Sequence, residues 1–452
     1  MSWLGKPHAQ DVAYPDAAEL ERSVARLRQL PPLVTSWEIE RLRSMLAEAE
    51  QGARFVLQGG DCAESLAECS PTPITNRLKI LLQMSMVLVH GLKRPIVRVG
   101  RFAGQYAKPR SSATETRVVG SAPGVQGEVV TLPSYFGDLV NRPEFSREAR
   151  RPDPRLLLDG YTHAAMTINF VRALVDGGFA DLHHPEYWDM AFMGQAGLPA
   201  SLRGEYQRMR DNLADGLRFM EALGEKTVDD LTRVEFFTSH EGLSLWYESA
   251  QTRRVPRREG YYNLTAHLPW IGERTRQLDG AHVEFFRGVR NPVGVKVSSR
   301  IVPEELVDLS RALNPANERG KLVLIARLGA AHVERALPPL LHAMRSNDRR
   351  ALWICDPMHG NTRVTPQGVK TRSFGDIMDE LAIAHRLHQE AGVVLGGVHF
   401  ELTGEDVTEC TGGAMGLTDQ DLSINYASAC DPRLNYQQAL ELAFALARMM
   451  GR

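Results

Sequence analysis

Leu322-Val323-Leu324-Ile325-Ala326-Arg327 and, after a helix-length gap, Leu352-Trp353-Ile354-Cys355-Asp356-Pro357-Met358-His359 decide the fold. Each is a short apolar run that ends on a charged or ligand-competent side chain. Short β-branched or apolar runs alternating with longer helical stretches are the signature of parallel βα units. Working outward from residue 54, the same pattern recurs at Phe55–Gln58, Ile96–Gly100, roughly Phe179–Leu182, Val234–Ser239, Val293–Val297 and Val394–His399. A further apolar run, His282–Phe286, leaves the count ambiguous by one. Helices are expected over Ile74–His90 (closing at Gly91), Leu158–Asp176, Phe374–Glu390 (closing at Gly392) and from Asn435-x-x-Gln438 to Met450. Eight such units predict an α/β protein with a (β/α)8 TIM-barrel architecture, the alternative being a doubly wound open sheet.

Residues 1–53 precede any strand. Asp16 to Leu30 reads as an amphipathic helix, and Thr35-Ser36-Trp37-Glu38 has capping-box spacing for a second helix ending at Gly52. The expected organisation is an N-terminal helical extension over 1–53, with oligomer contacts, and a catalytic barrel over 54–452 with inserted segments. Ser111 to Pro133, rich in Ser, Thr, Gly and Val, reads as a long loop or hairpin.

Composition narrows the function. The 452 residues are 43% hydrophobic and 24% charged, an ordinary globular balance. With 53 Lys and Arg against 55 Asp and Glu, the net charge of −2 argues against a nucleic-acid binder, so positive sites must be local pockets for small anions. Apolar runs far shorter than a membrane span, no secretory leader and five cysteines lead us to expect a cytoplasmic protein in a reducing compartment.

A barrel places reactive residues at the C-terminal ends of its strands. Cys62, His359, Glu401 and Asp431 each follow a different strand or the loop beyond the last one. Taken singly, a Cys is usually a small buried hydrophobe and a Glu after a strand a solvated end. Brought to one mouth, the mixed soft and hard set suits Mn²⁺, Fe²⁺, Co²⁺ or Zn²⁺ rather than Mg²⁺ or Ca²⁺. Arg101, Lys108, Arg110, Arg274, Lys296 and Arg327 would ring the same mouth with positive charge, as phosphate and carboxylate recognition requires. Lys296, inside Val295-Lys296-Val297, must meet an anion in the barrel or lose its proton. The runs Arg147–Arg155 and Arg253–Arg258 read as solvated faces.

The chain resembles the type II (plant-like) 3-deoxy-D-arabino-heptulosonate 7-phosphate (DAHP) synthases. The resemblance runs from about residue 30 to the C-terminus and is carried by long segments. These include Gln58-Gly59-Gly60-Asp61-Cys62-Ala63-Glu64, Arg101-Phe102-Ala103-Gly104-Gln105-Tyr106-Ala107-Lys108-Pro109-Arg110-Ser111, Ser239-His240-Glu241 and Gly272-Glu273-Arg274-Thr275-Arg276. Others are Gly294-Val295-Lys296-Val297, Cys355-Asp356-Pro357-Met358-His359-Gly360-Asn361, Glu401-Leu402-Thr403-Gly404-Glu405 and Cys430-Asp431-Pro432-Arg433-Leu434-Asn435.

The resemblance implies a transferase of the shikimate pathway that condenses phosphoenolpyruvate with D-erythrose 4-phosphate and releases phosphate. It implies one divalent ion, Mn²⁺ or Co²⁺ first and Fe²⁺ or Zn²⁺ next, on Cys62, His359, Glu401 and Asp431. Phosphoenolpyruvate would be bound by Arg101, Glu273, Arg274, Lys296 and Arg327, and erythrose 4-phosphate by Lys108, Arg110 and Ser111. Glu273 would position the attacking water and Lys296 donate a proton. Cys430, beside Asp431, is expected near Cys62 as its redox partner. The long Ser112–Pro133 segment leaves open a secondary-metabolism enzyme with an amino, imino or other aldose phosphate acceptor. Further expectations are a homo-oligomer, dimer or tetramer, a chorismate mutase partner or regulatory role beside one, and neither nucleic-acid nor membrane binding.

Overall fold

Runs of Val, Leu and Ile bounded by Gly, Pro and polar residues form the strands that the alternation predicts. The computed structural model describes residues 2–119, 127–177 and 235–451, together with 200, 203–205, 207–208 and 211. Eight parallel strands close into one barrel: β1 (Phe55–Gly60), β2 (Ile96–Arg101), β3 (Phe236–Glu241), β4 (Leu268–Ile271), β5 (Val293–Ser298), β6 (Leu322–Arg327), β7 (Leu352–Cys355) and β8 (Leu395–Glu401). Each pairs in parallel with its neighbours in chain order, and β8 returns to β1. The open-sheet alternative is thereby excluded.

The described helices are α1 (Ala17–Gln29), α2 (Ser36–Glu50), α3 (Pro71–Leu92), α4 (Leu156–Asp176), α5 (Leu245–Ala250), α6 (Ala281–Phe286), α7 (Pro303–Leu313), α8 (Ala330–Ser346), α9 (Phe374–Ala391) and α10 (Tyr436–Met450). The two capping boxes, Thr35 with Glu38 and Asn435 with Gln438, are both formed. Gly392 closes α9 in the left-handed region at φ 63°. α3 runs past Gly91, and Lys93, at φ 54°, makes the left-handed turn instead.

Phe179–Leu182 lies outside the described residues. His282–Phe286 is not a strand but most of the short helix α6. The barrel's fourth strand is Leu268-Pro269-Trp270-Ile271, where a proline and only four residues hide the strand signal. The stretch after Ser111 is a hairpin, Thr114–Val119 paired with Glu128–Pro133.

α2 closes the N-terminal end of the barrel. Its Leu42, Met45, Leu46 and Ala49 form one buried cluster with Val56, Val97, Val99, Phe237, Leu268, Val323, Ile325, Leu352 and Ile354 from the strands. Contact is close enough to require glycine: a Cβ on Gly396 would stand 2.8 Å from the Ala49 carbonyl oxygen, and one on Gly320 (φ 69°) 2.2 Å from that of Arg43. α1 buries Val24 and Leu27 and packs on α4 and α5. The apolar stripe of the extension is therefore buried within the chain, and does not itself argue for a second copy.

In the two arginine runs Arg147, Arg151, Arg155, Arg254 and Arg257 are exposed as expected, while Arg150, Arg253 and Arg258 depart from the solvated reading. Arg150 is 2% exposed, and donates to the carbonyl oxygens of Glu144, Pro143 and Pro133 and to Glu115. Arg253 donates to the Leu30 carbonyl, while Arg258 lies 4.2 Å over the Trp37 ring and pairs with Glu40, tying the extension to the barrel. Because Leu46 is fully buried beneath the strands, Leu46→Ala is expected to lower unfolding stability by about 2–5 kcal/mol. Urea denaturation, read as a fall in midpoint at unchanged slope, checks this.

Candidate active site

The barrel register sets the innermost part of the site. Gly60 pairs with Arg101 on one side and with Glu401 on the other. Its φ of 144° is a glycine conformation, and a Cβ there would meet the Arg101 carbonyl oxygen at 2.8 Å. With no side chain between them, Arg101 reaches across to Glu401, Nη2 to Oε1 at 2.9 Å.

Glu401 is fully buried and surrounded by basic side chains. His359 Nε2 stands 2.9 Å from Oε1, Lys108 Nζ 3.5 Å from the same oxygen, and Arg372 Nη1 2.7 Å from Oε2. Burial alone would push this carboxyl up, but His359, Lys108, Arg372 and Arg101 hold it well below the usual carboxylate range. Asp431 is held down in the same sense against its burial, with Lys108 Nζ 3.0 Å from its Oδ2. The other face of the His359 ring is fixed by Asp356, Nδ1 to Oδ2 at 2.8 Å. Asp356 also accepts from Lys296. Burial draws Lys296 down to about 8 although Asp356 pulls the other way. The lysine inside the apolar strand has thus found its anion.

Donor atoms of His359, Glu401 and Asp431 all lie within 4.8 Å of one another. The fourth residue of the expected quartet is placed differently. Cys62 is buried, but its sulfur is not in that group. It faces Ser428 Oγ at 3.2 Å and the Cys430 thiol, whose hydrogen bond draws it below the ordinary thiol range while burial opposes. All five cysteines are free. The backbone of Cys62 does reach the site, its carbonyl oxygen accepting from Lys108 at 3.1 Å and Arg101 at 3.3 Å.

Above this layer opens a cavity of about 310 Å³. Among the described residues, nine Lys or Arg side chains line it against three carboxylates, Glu241, Glu273 and Asp431. All eight residues expected to bind the substrates are there: Arg101 at the end of β2, Glu273, Arg274, Lys296 and Arg327 from the β4–β6 side, and Lys108, Arg110 and Ser111 from the segment before the hairpin. Glu273 is held by Ser298 Oγ at 2.6 Å and by Arg276 at 3.2 Å. Arg274 has no ion pair among the described residues. Arg327 donates to the His359 carbonyl oxygen.

Several lining residues had no role assigned from sequence. Trp270 lies under both Arg101 (5.3 Å) and Lys296 (5.8 Å), a cation–π floor that went unseen with its strand. Lys370 and Arg372 sit in a short hairpin, Thr362–Val364 with Lys370–Arg372, with no apolar run to mark it. Glu241 ends β3, where its position was visible. Burial pushes its carboxyl up, and Oε1 has no hydrogen-bond partner among the described residues.

Fold and site together define a (β/α)8 barrel with a cation-lined cavity at the C-terminal ends of its strands. The sequence model of the Class-II DAHP synthetase family matches residues 1–447. Relatives named phospho-2-dehydro-3-deoxyheptonate aldolase come from Neurospora crassa (46% identical, covering 99% of this chain and 93% of the relative) and Streptomyces coelicolor (44%, 99% and 96%). A third, from Mycolicibacterium smegmatis, is 42% identical over 99% of this chain and 94% of its own length. The chain belongs to the class-II DAHP synthetase family and is an enzyme, a transferase of that class. Among the described residues no helix is long and apolar enough to cross a membrane.

Proposed function

We propose that this enzyme condenses phosphoenolpyruvate with D-erythrose 4-phosphate, giving DAHP and inorganic phosphate with one divalent ion bound, as the first step of the shikimate pathway. The observation that carries the reading is the cavity itself: nine cationic side chains converge on about 310 Å³ in a chain of net charge −2. Two multiply anionic substrates repel unless such charge surrounds them. Arginine forks match phosphate and carboxylate oxygens two at a time.

Arg101, Arg274, Lys296 and Arg327, with Glu273, take phosphoenolpyruvate in this reading, and Lys108, Arg110 and Ser111 take the acceptor. Fixing both in attack geometry removes up to roughly 7–11 kcal/mol of barrier. Glu273, oriented by Ser298, positions the water that adds to the second carbon of phosphoenolpyruvate, and Lys296 supplies a proton. His359, Glu401 and Asp431 would hold the ion, with Cys62 joining them by turning its thiolate from Cys430. The fit rests on their shared approach and on the Asp356 bond that orients the imidazole. The donor set suits Mn²⁺ or Co²⁺, then Fe²⁺ or Zn²⁺. A bound ion there supplies Lewis-acid polarisation of the aldehyde oxygen. Residues 1–53 serve, on this reading, as an extension that seals the catalytic barrel and contributes to a homo-oligomer.

Phosphate release from phosphoenolpyruvate should require erythrose 4-phosphate, stop with chelator and return with Mn²⁺ or Co²⁺. Faster turnover with another aldose phosphate would overturn the acceptor assignment. With Lys296 at about 8, its proton is lost as pH rises through that value, so the single-turnover rate should fall above about pH 8. Lys296→Met should remove both the rate and that limb, and an undiminished rate would sink the proton-donor role.

The Cys62–Cys430 contact favours a second, regulatory reading: in metal-free enzyme an oxidant joins the two thiols, withdrawing a ligand. Both thiol hydrogens and two electrons pass to the oxidant, a small-molecule disulfide or diamide. Thiol titration should then fall from five to three, and a count still at five ends the idea.

A further inference from the structure

Glu380 lies on α9, behind the strand ends rather than in the cavity, and is 1% exposed. Its Oε1 accepts the backbone N–H groups of Leu328 (2.8 Å) and Gly329 (2.9 Å). Its Oε2 accepts Asn361 Nδ2 at 2.7 Å, and Asn361 Oδ1 takes the Ala330 N–H at 2.9 Å. These N–H groups lead into α8, whose N-cap residue Gly329 has no side chain to cap it, so the carboxyl oxygen of Glu380, on another helix, does so.

The two loops joined in this way each carry a site residue. Arg327 immediately precedes Leu328, and His359 stands two residues before Asn361. Between them the backbones touch: a Cβ on Gly329 (φ 85°) would lie 2.8 Å from the Gly360 carbonyl oxygen, and one on Gly360 2.3 Å from the Gly329 nitrogen. Arg327 itself donates to the His359 carbonyl oxygen.

We propose that Glu380 is a positioning residue that sets Arg327 and His359 in fixed relation, coupling the anion-binding wall of the cavity to its metal-binding wall. This rests on the proposed roles of Arg327 toward phosphoenolpyruvate and His359 toward the ion. Capping α8 alone would hold the β6 loop without reaching the β7 loop. The Asn361 bond is what makes the carboxylate bridge both.

Glu380→Gln tests it with little change of shape. Whichever way the amide turns, one donor faces another, because Asn361 Oδ1 is already committed to Ala330. The KM for phosphoenolpyruvate and the Kd for Mn²⁺, the latter by calorimetry without substrate, should both rise roughly 10-fold or more. The melting temperature of the metal-free chain should change little. Adding Asn361→Asp restores the donor–acceptor match toward position 380 but sets an oxygen against the Pro357 carbonyl, so both constants should come part of the way back toward wild type. Constants unchanged in Glu380→Gln, or a double variant no better than the single one, would overturn the proposal. Arg327→Ala run in parallel separates the two readings. If it leaves the KM for phosphoenolpyruvate unchanged, the assignment of Arg327 has failed, and the Mn²⁺ constants alone decide the bridge.

Discussion

A carboxylate with no exposure to water, Glu401, is the constraint around which the rest of the site is built. An ion of that kind carries a penalty of several kcal/mol even after the protein relaxes, and it persists only where other charges and hydrogen bonds surround it. Here the compensation comes from four directions: Arg101 from β2, Lys108 from the following loop, Arg372 from the short hairpin after β7, and His359 from the β7 loop. Along the chain they form two groups, Arg101 with Lys108 and His359 with Arg372, and only closure of the barrel brings both groups around Glu401. Gly60, bare between Arg101 and Glu401, lets the first of them across.

The closed sheet also separates two environments along its axis. At the N-terminal end, α2 inserts Leu42, Met45, Leu46 and Ala49 among strand residues that are all apolar. At the C-terminal end the inward positions carry charge. Trp270 stands between the two, counted in the apolar cluster yet lying beneath Arg101 and Lys296. A low-dielectric floor strengthens every interaction above it. This is why Lys296 is drawn down to about 8 while Glu401 and Asp431, among cations, are held low.

Much of this was legible in the chain because strand ends are marked by abrupt changes of character. Val297, Ala326 and Cys355 give way to polar residues within one or two positions, and the barrel turns that pattern into a place. What escaped notice did so for physical reasons. Pro269 removes a ladder donor and shortens β4, so the strand carrying Trp270 has no run to announce it. Lys370 and Arg372 act through a two-stranded excursion whose sequence resembles any polar loop. Arg150, read as solvated, is buried because backbone carbonyls and Glu115 offer partners that composition cannot reveal. The Cys62 sulfur shows the converse limit: its motif places it near His359, Glu401 and Asp431, while its orientation depends on Cys430 and Ser428 across the mouth.

The cations are graded along the cavity, from the hairpin side and rim to the floor. Lys108 touches both Glu401 and Asp431, so its charge is shared between the buried carboxylates and whatever enters on the hairpin side. Arg274 has no such obligation among the described residues and is exposed, which leaves its full set of donors for an incoming oxyanion. Lys296 is the opposite case, closed in by Asp356 and able to act only at short range. A gradient from free arginine at the rim to paired lysine at the floor gives attraction first and selectivity last. A long-range field draws the anion in, and only an anion whose charge lies where the paired groups can share it gains further by descending.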